Sequence, residues 1–164
     1  MSESLARIQD WVASHQEDIV GFLRDLIAIP STSTEEEGVI KRIAQEMRKV
    51  GFEEVRIDAI GNVIGRIGNG PVKILYDSHI DTVGVGDPTA WEFDPFEGKY
   101  ENGIVWGRGA SDNKAAMATM VYAGKAIKEL GLEGDYTLYM VGVVEEESMD
   151  GWAVGEMIKT QGIK

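Results

Sequence analysis

His79, Asp81, Asp112 and the acidic run Glu145-Glu146-Glu147 are the residues of this 164-residue chain whose types could do chemistry together. An imidazole with several carboxylates suits zinc, cobalt or manganese, and is too rich in nitrogen for a dedicated calcium or magnesium cage. Asp81 follows His79 by two positions. On an extended backbone the two side chains share a face, where Asp81 could accept the other ring N–H and fix the tautomer. Three adjacent like charges repel one another, and a cation among them relieves that repulsion.

Each group also has an ordinary use. A histidine at a strand end is often half-buried with no ligand, an aspartate before a helix is a common N-cap, and an acidic run is often a solvated turn. What favours chemistry is where the elements put them. Residues 72–78 read as a strand with apolar residues on both faces, as if covered by helices on each side, and deliver His79 at its C-terminal end. Asp112 is expected to open a helix whose stripe of Met117, Met120, Val121, Ile127 and Leu130 stops at Gly131. Residues 136–144 form a second such strand, ending at the acidic triplet. In open α/β sheets ligands collect beyond the carboxyl ends of the strands, and right-handed crossovers would bring these ends to one edge.

The remaining elements follow the same periodicities. Residues 3–28 predict one long amphipathic helix or two shorter ones, ending at Ile29-Pro30. Ser33 with Glu36 predicts a capping box opening a helix that stops at Gly51, and residues 53–67 predict a hairpin around Gly61. Residues 84–103 read as a long ordered loop carrying Trp91, Phe93 and Phe96, and a last helix is expected from about residue 150 to residue 164. Strand and helix alternation predicts an α/β fold: a mixed, mostly parallel sheet with helices on both faces.

Composition bounds the function. Hydrophobic residues make up 43% and charged residues 27%, the balance of a globular domain. With 28 acidic against 16 basic residues, the net charge of −12 repels phosphate backbones and anionic membranes, so neither nucleic acid nor membrane is an expected partner. Most carboxylates, Glu35, Glu36 and Glu37 among them, are expected to be solvated surface. The absence of cysteine excludes disulfides, thiolate sites and a cysteine nucleophile, leaving histidine and carboxylate to hold any metal. No apolar run approaches the ~18 residues a membrane span needs, and a cytoplasmic protein is expected. Gly107-Arg108-Gly109-Ala110 lacks the spacing of a phosphate loop, no Gly-x-Ser-x-Gly marks a serine esterase, and His15 reads as a surface or packing residue.

Taken together, the run from Ser78 to Val83, the aromatics from Trp91 to Phe96, the run from Gly107 to Lys114 and the triplet Glu145-Glu146-Glu147 resemble the zinc-dependent aminoacylase and carboxypeptidase metallopeptidase family. That family includes acetylornithine deacetylase and succinyl-diaminopimelate desuccinylase, and the wording of the motifs is nearest to its hydrolases linked to selenium metabolism. The resemblance implies the N-terminal part of a zinc-peptidase-like catalytic domain. His79 would bind one Zn2+, Asp112 would bridge two, and Glu147 would bind the other, with Co2+ or Mn2+ as substitutes. Glu146 would be the general base, Asp81 the partner of His79, and the peptide bond after Asp112 would be cis. The implied reaction is cleavage of an amide bond, in a peptide or an N-acyl amino acid, by a metal-activated water. Within the triplet, Glu145 and Glu146 as base and ligand remain the alternative, because alternation along a strand puts Glu145 and Glu147 on one side.

The family pattern also needs a further carboxylate, a second histidine and a lid and dimerisation domain, none of which residues 1–164 are expected to supply. The chain alone is therefore expected to be inactive unless a complementing C-terminal chain or a second copy completes it. The alternative is a non-catalytic metal-binding or self-associating module.

Overall fold

Apolar side chains near the start of the chain recur at helical spacing, and in the computed structural model, which describes residues 3–161, they form two helices. α1 (Glu3–Ser14) and α2 (Gln16–Ile27) part at His15, whose ring stacks on Trp11 with centroids 3.9 Å apart. His15 is thus a packing residue. α3 (Glu37–Lys49) buries Val39, Ile40, Ile43, Ala44 and Met47 on one stripe and ends before Gly51 at φ 92°. The expected capping box does not form. Glu36 holds the N-cap position without a side-chain cap bond, and Ser33 Oγ instead donates to Asp81 Oδ2 at 2.7 Å. The Ser33 hydroxyl hydrogen makes a charge-assisted bond to a buried carboxylate, and the helix opens three residues later than a cap at Ser33 requires.

β1 (Glu54–Ile57) and β2 (Val63–Ile67) form the expected antiparallel hairpin. β3 (Val72–His79) and β6 (Tyr136–Val143) complete a four-stranded sheet in the order β1-β2-β6-β3. The fold is α/β with a mixed sheet, although β1–β2 and β2–β6 are antiparallel and only β3–β6 is parallel, so the sheet is less parallel than expected. β6 is central and buried on both faces, through Leu138 and Met140 on one and Val141 and Val143 on the other. β3 departs from expectation: it lies at the sheet edge, with Val72 and Tyr76 each 57% exposed. Its apolar residues on both faces predict cover that the described residues do not supply.

The Phe52 ring wedges between β2 and α4 (Ala115–Glu129), where a Cβ added at Gly65 or at Gly124 would meet it at 2.6 Å. Only glycine lets helix and strand approach this closely around an aromatic ring. The long loop is more structured than expected. It holds a short turn at Pro88–Ala90 and a small hairpin of β4 (Lys99–Glu101) and β5 (Ile104–Trp106), with Trp91, Phe93 and Trp106 in edge-to-face contact. α5 (Glu146–Met149) and α6 (Trp152–Gln161) follow β6, and residues 162–164, the expected end of the last helix, lie outside the described residues. Among the described residues no helix is long and apolar enough to cross a membrane.

Candidate metal centre

Parallel pairing of β3 with β6 sets His79 opposite Val143, so both strands release their chains at the same edge. His79 is 9% exposed and Asp81 fully buried. The His79 Nδ1 atom lies 3.1 Å from the main-chain oxygen of Asp81 and 3.6 Å from its Oδ1, so the carbonyl, more than the expected carboxylate, sets the ring orientation. The other ring nitrogen, Nε2, lies 2.8 Å from Asp112 Oδ1 and 3.9 Å from Glu146 Oε2. An acceptor at each nitrogen favours the protonated ring. Burial opposes that charge, but the Asp112 hydrogen bond, the Asp81 carbonyl and the charges of Glu146 and Asp112 outweigh it, and the His79 pKa is raised above its ordinary value.

The Asp81 carboxylate is occupied elsewhere. Its Oδ1 accepts the backbone N–H of Glu146 and its Oδ2 that of Glu147, each at 3.1 Å. It therefore anchors the start of α5, and with it the acidic triplet. Glu145 has left-handed backbone angles, φ 56° and ψ 31°, so the triplet does not continue β6 and strand alternation does not govern which acids point together. Glu146 and Glu147 face His79: one ligand atom from each of the three lies within 4.8 Å of the others. The Glu145 carboxylate is instead within 3.5 Å of Ser148 Oγ.

Asp112 does not open a helix. It sits at φ −129° and ψ 95° inside an irregular turn, Ala110–Lys114, while α4 begins at Ala115, and the Asp112–Asn113 bond is cis. Lys114 explains the displaced helix start. Its ammonium is fully buried and donates to the carbonyl oxygens of Leu26 and Ile29 at 2.8 Å each, which pins the turn to the end of α2. Burial pushes its pKa down to about 8. The Asp112 side chain stays 77% exposed, leaning on His79 from the solvent side.

Three supporting residues escape a reading of the sequence. Glu36, expected at the surface, is 5% exposed and accepts the Glu145 N–H at 3.0 Å; burial raises its pKa more than that bond lowers it. Asn62 is fully buried and its Oδ1 accepts the Val144 N–H at 3.1 Å. Lys114 is the third. Only the asparagine carries a local signal, its place beside the turn glycine Gly61.

The donor set fits a divalent ion. Ligand atoms sharing one tetrahedral ion with bonds of about 2.0 Å lie roughly 3.3 Å apart, and His79 Nε2 and Asp112 Oδ1, now 2.8 Å apart, reach that spacing by a small rotation of the exposed Asp112 side chain. The imidazole and carboxylates are the borderline donors such an ion takes. The ligand nitrogen would be Nε2, since Nδ1 faces the Asp81 carbonyl.

Known proteins are similar to this chain. The Escherichia coli strain K12 uncharacterized protein YgeY is 51% identical over 150 residues, covering 92% of this chain and 37% of its own length. A succinyl-diaminopimelate desuccinylase of Parvibaculum lavamentivorans is 34% identical over 134 residues, 77% of this chain and 34% of that enzyme. The dipeptidase Dug1p of Saccharomyces cerevisiae superposes with a TM-score of 0.85 at 21% identity, over 98% of this chain and 38% of that structure, a likeness of fold. The chain thus spans little more than a third of the length of the curated relatives it matches. The pattern of the family described as Peptidase family M20/M25/M40 covers residues 75–164, more than half of the chain, with His79, Asp81, Asp112 and the Glu145–Glu147 triplet inside it, and the chain belongs to that family.

Proposed function

We propose that this chain holds part of the active centre of a metal-dependent hydrolase that cleaves an amide bond in a peptide or an N-acyl amino acid. The observation that carries the proposal is the convergence of His79, Glu146 and Glu147 within 4.8 Å, with Asp112 at 2.8 Å from the ligand nitrogen of His79. The substrate class is taken from two similar proteins, a desuccinylase and a dipeptidase. Residues 1–164 act as a partial catalytic domain, and the expected compartment is the cytoplasm.

In this reading His79, Asp112 and Glu147 are the metal ligands, for Zn2+ in a two-ion site, with Co2+ or Mn2+ as functional substitutes. When bound, the metal supplies Lewis acidity, polarising an amide carbonyl and making a nearby water easier to deprotonate. Glu146, 40% exposed at its side chain, is reachable from solvent and takes the proton of the attacking water at Oε2, then returns it to the leaving nitrogen. Asp81 touches no substrate; it holds the amides of Glu146 and Glu147, so both carboxylates start from a fixed backbone.

Residues 1–164 match about 37% of a relative's length, and little hydrolase activity is expected of them in isolation. Calorimetric titration with Zn2+, alongside an assay for amide cleavage with and without a complementing C-terminal chain, tests this. Zinc binding that disappears in His79→Ala supports the proposal; no zinc binding by the parent chain defeats it. One observation favours the second reading, a self-associating metal-binding module: among the described residues β3 pairs with β6 alone, leaving its outer edge open to another strand.

A further inference from the structure

Glu35, Glu36 and Glu37 are consecutive acids, yet only Glu36 is buried. A carboxylate taken out of water needs strong donors, and the Glu36 side chain finds one 109 positions away, accepting the Glu145 N–H through Oε1 at 3.0 Å. The next two amides go to Asp81, so three consecutive N–H groups of the triplet are received by two buried carboxylates. The same segment fixes the strand end that carries His79. Ser31 Oγ donates to the Ile80 carbonyl at 2.8 Å, the Thr82 N–H donates to the Ser31 carbonyl at 2.8 Å, and Ser33 Oγ donates to Asp81 at 2.7 Å. Residues 31–36 therefore clamp both halves of the candidate centre to one frame.

We infer that Glu36 is a positioning residue for the metal centre: its carboxylate holds Glu145 in the left-handed turn that directs Glu146 and Glu147 toward His79. Left-handed angles at a residue with a Cβ persist only when the surroundings impose them. Without that bond the chain leaving β6 would relax, and the mutual repulsion of three carboxylates would spread them. Glu36 acts through the reach of its oxygen and not through its charge. This inference rests on the metal-site reading above.

Reach and charge separate cleanly in two variants. Glu36→Gln loses the charge but keeps a carbonyl oxygen at the same distance; Glu36→Asp keeps the charge but withdraws the oxygen by one methylene. With Co2+ as the probe, titrated into the folded chain, Glu36→Asp is expected to weaken affinity about tenfold or more, the usual consequence of losing a residue that orients a ligand. Glu36→Gln is expected to stay within about threefold of the parent because its amide oxygen still accepts the Glu145 N–H. Hydrogen exchange at the Glu145 amide, read by NMR without metal, should quicken in Glu36→Asp and stay parental in Glu36→Gln. Parental affinity in both variants, or the reverse order, overturns the inference. A parent chain that binds no Co2+ fails earlier, before any substitution, and removes the metal-site reading itself.

Discussion

Asp81 Oδ2 accepts the backbone N–H of Glu147 at 3.1 Å, so a residue two positions beyond the His79 strand end sets the backbone of an acid 66 positions further on. Both strand ends are joined through this one buried carboxylate. Asp81→Asn would turn an NH2 group toward a donor now satisfied by oxygen, and stranding a buried donor costs about 1–3 kcal/mol. Urea unfolding should show a loss of that size at unchanged m-value. A loss below about 0.5 kcal/mol, the range of ordinary surface changes, would mean that the carboxylate does not anchor α5.

Zinc should stabilise the chain through His79. At free zinc near 100 Kd the expected gain is about 2.7 kcal/mol, seen as a rise in Tm. His79→Ala should abolish the rise, whereas Asp112→Asn should reduce it. An unchanged shift in His79→Ala would place the ion elsewhere.

The pH dependence has opposite signs with and without metal. The folded-state pKa of His79 lies above its ordinary 6.5, because its carboxylate and carbonyl neighbours outweigh burial. Without metal, the stability it contributes is complete below the unfolded pKa and is lost as pH rises through the raised folded value. With zinc, the ion must displace the proton on Nε2, so the zinc-induced Tm shift should grow over that same rise. Thermal scans in EDTA and in zinc across neutral pH, with His79→Gln as reference, check both signs. Parallel pH profiles would contradict the assignment of Nε2 as ligand.

Lys114→Met should destabilise the chain by leaving the Leu26 and Ile29 carbonyls, its two acceptors, without the ammonium. At about 1–3 kcal/mol for each stranded group, the effect should be plain in thermal unfolding. Because the same ammonium ties the Asp112 turn to α2, zinc affinity should fall as well, measured in calorimetry below the melting range.

The open edge of β3 should promote association. Ile74 is 38% and Tyr76 57% exposed, and an unpaired, partly apolar edge is a template for another strand. Ile74→Lys is expected to lower the apparent mass in light scattering at high concentration. A parent chain monomeric at all concentrations would remove the self-associating reading.

Much was legible from residues alone. The types and order of His79, Asp112 and the Glu145–Glu147 run, the hairpin of residues 53–67, the central strand ending at the triplet and the α/β class all follow from local periodicity and motif spacing. Those properties belong to a single stretch of chain, and a single stretch shows them. Sequence distance hid the rest. Whether Glu36 is solvated or buried depends on an amide 109 positions away, whether Ser33 caps a helix depends on Asp81, and whether Asp112 opens a helix depends on where Lys114 finds carbonyls. Apolar residues on both faces of residues 72–78 state what that strand should contact, and only the sheet order places it at an edge. Residue types alone state which side chains could be offered to a cation. The tertiary structure decided which of them meet, because hydrogen-bond competition between distant segments sets their directions.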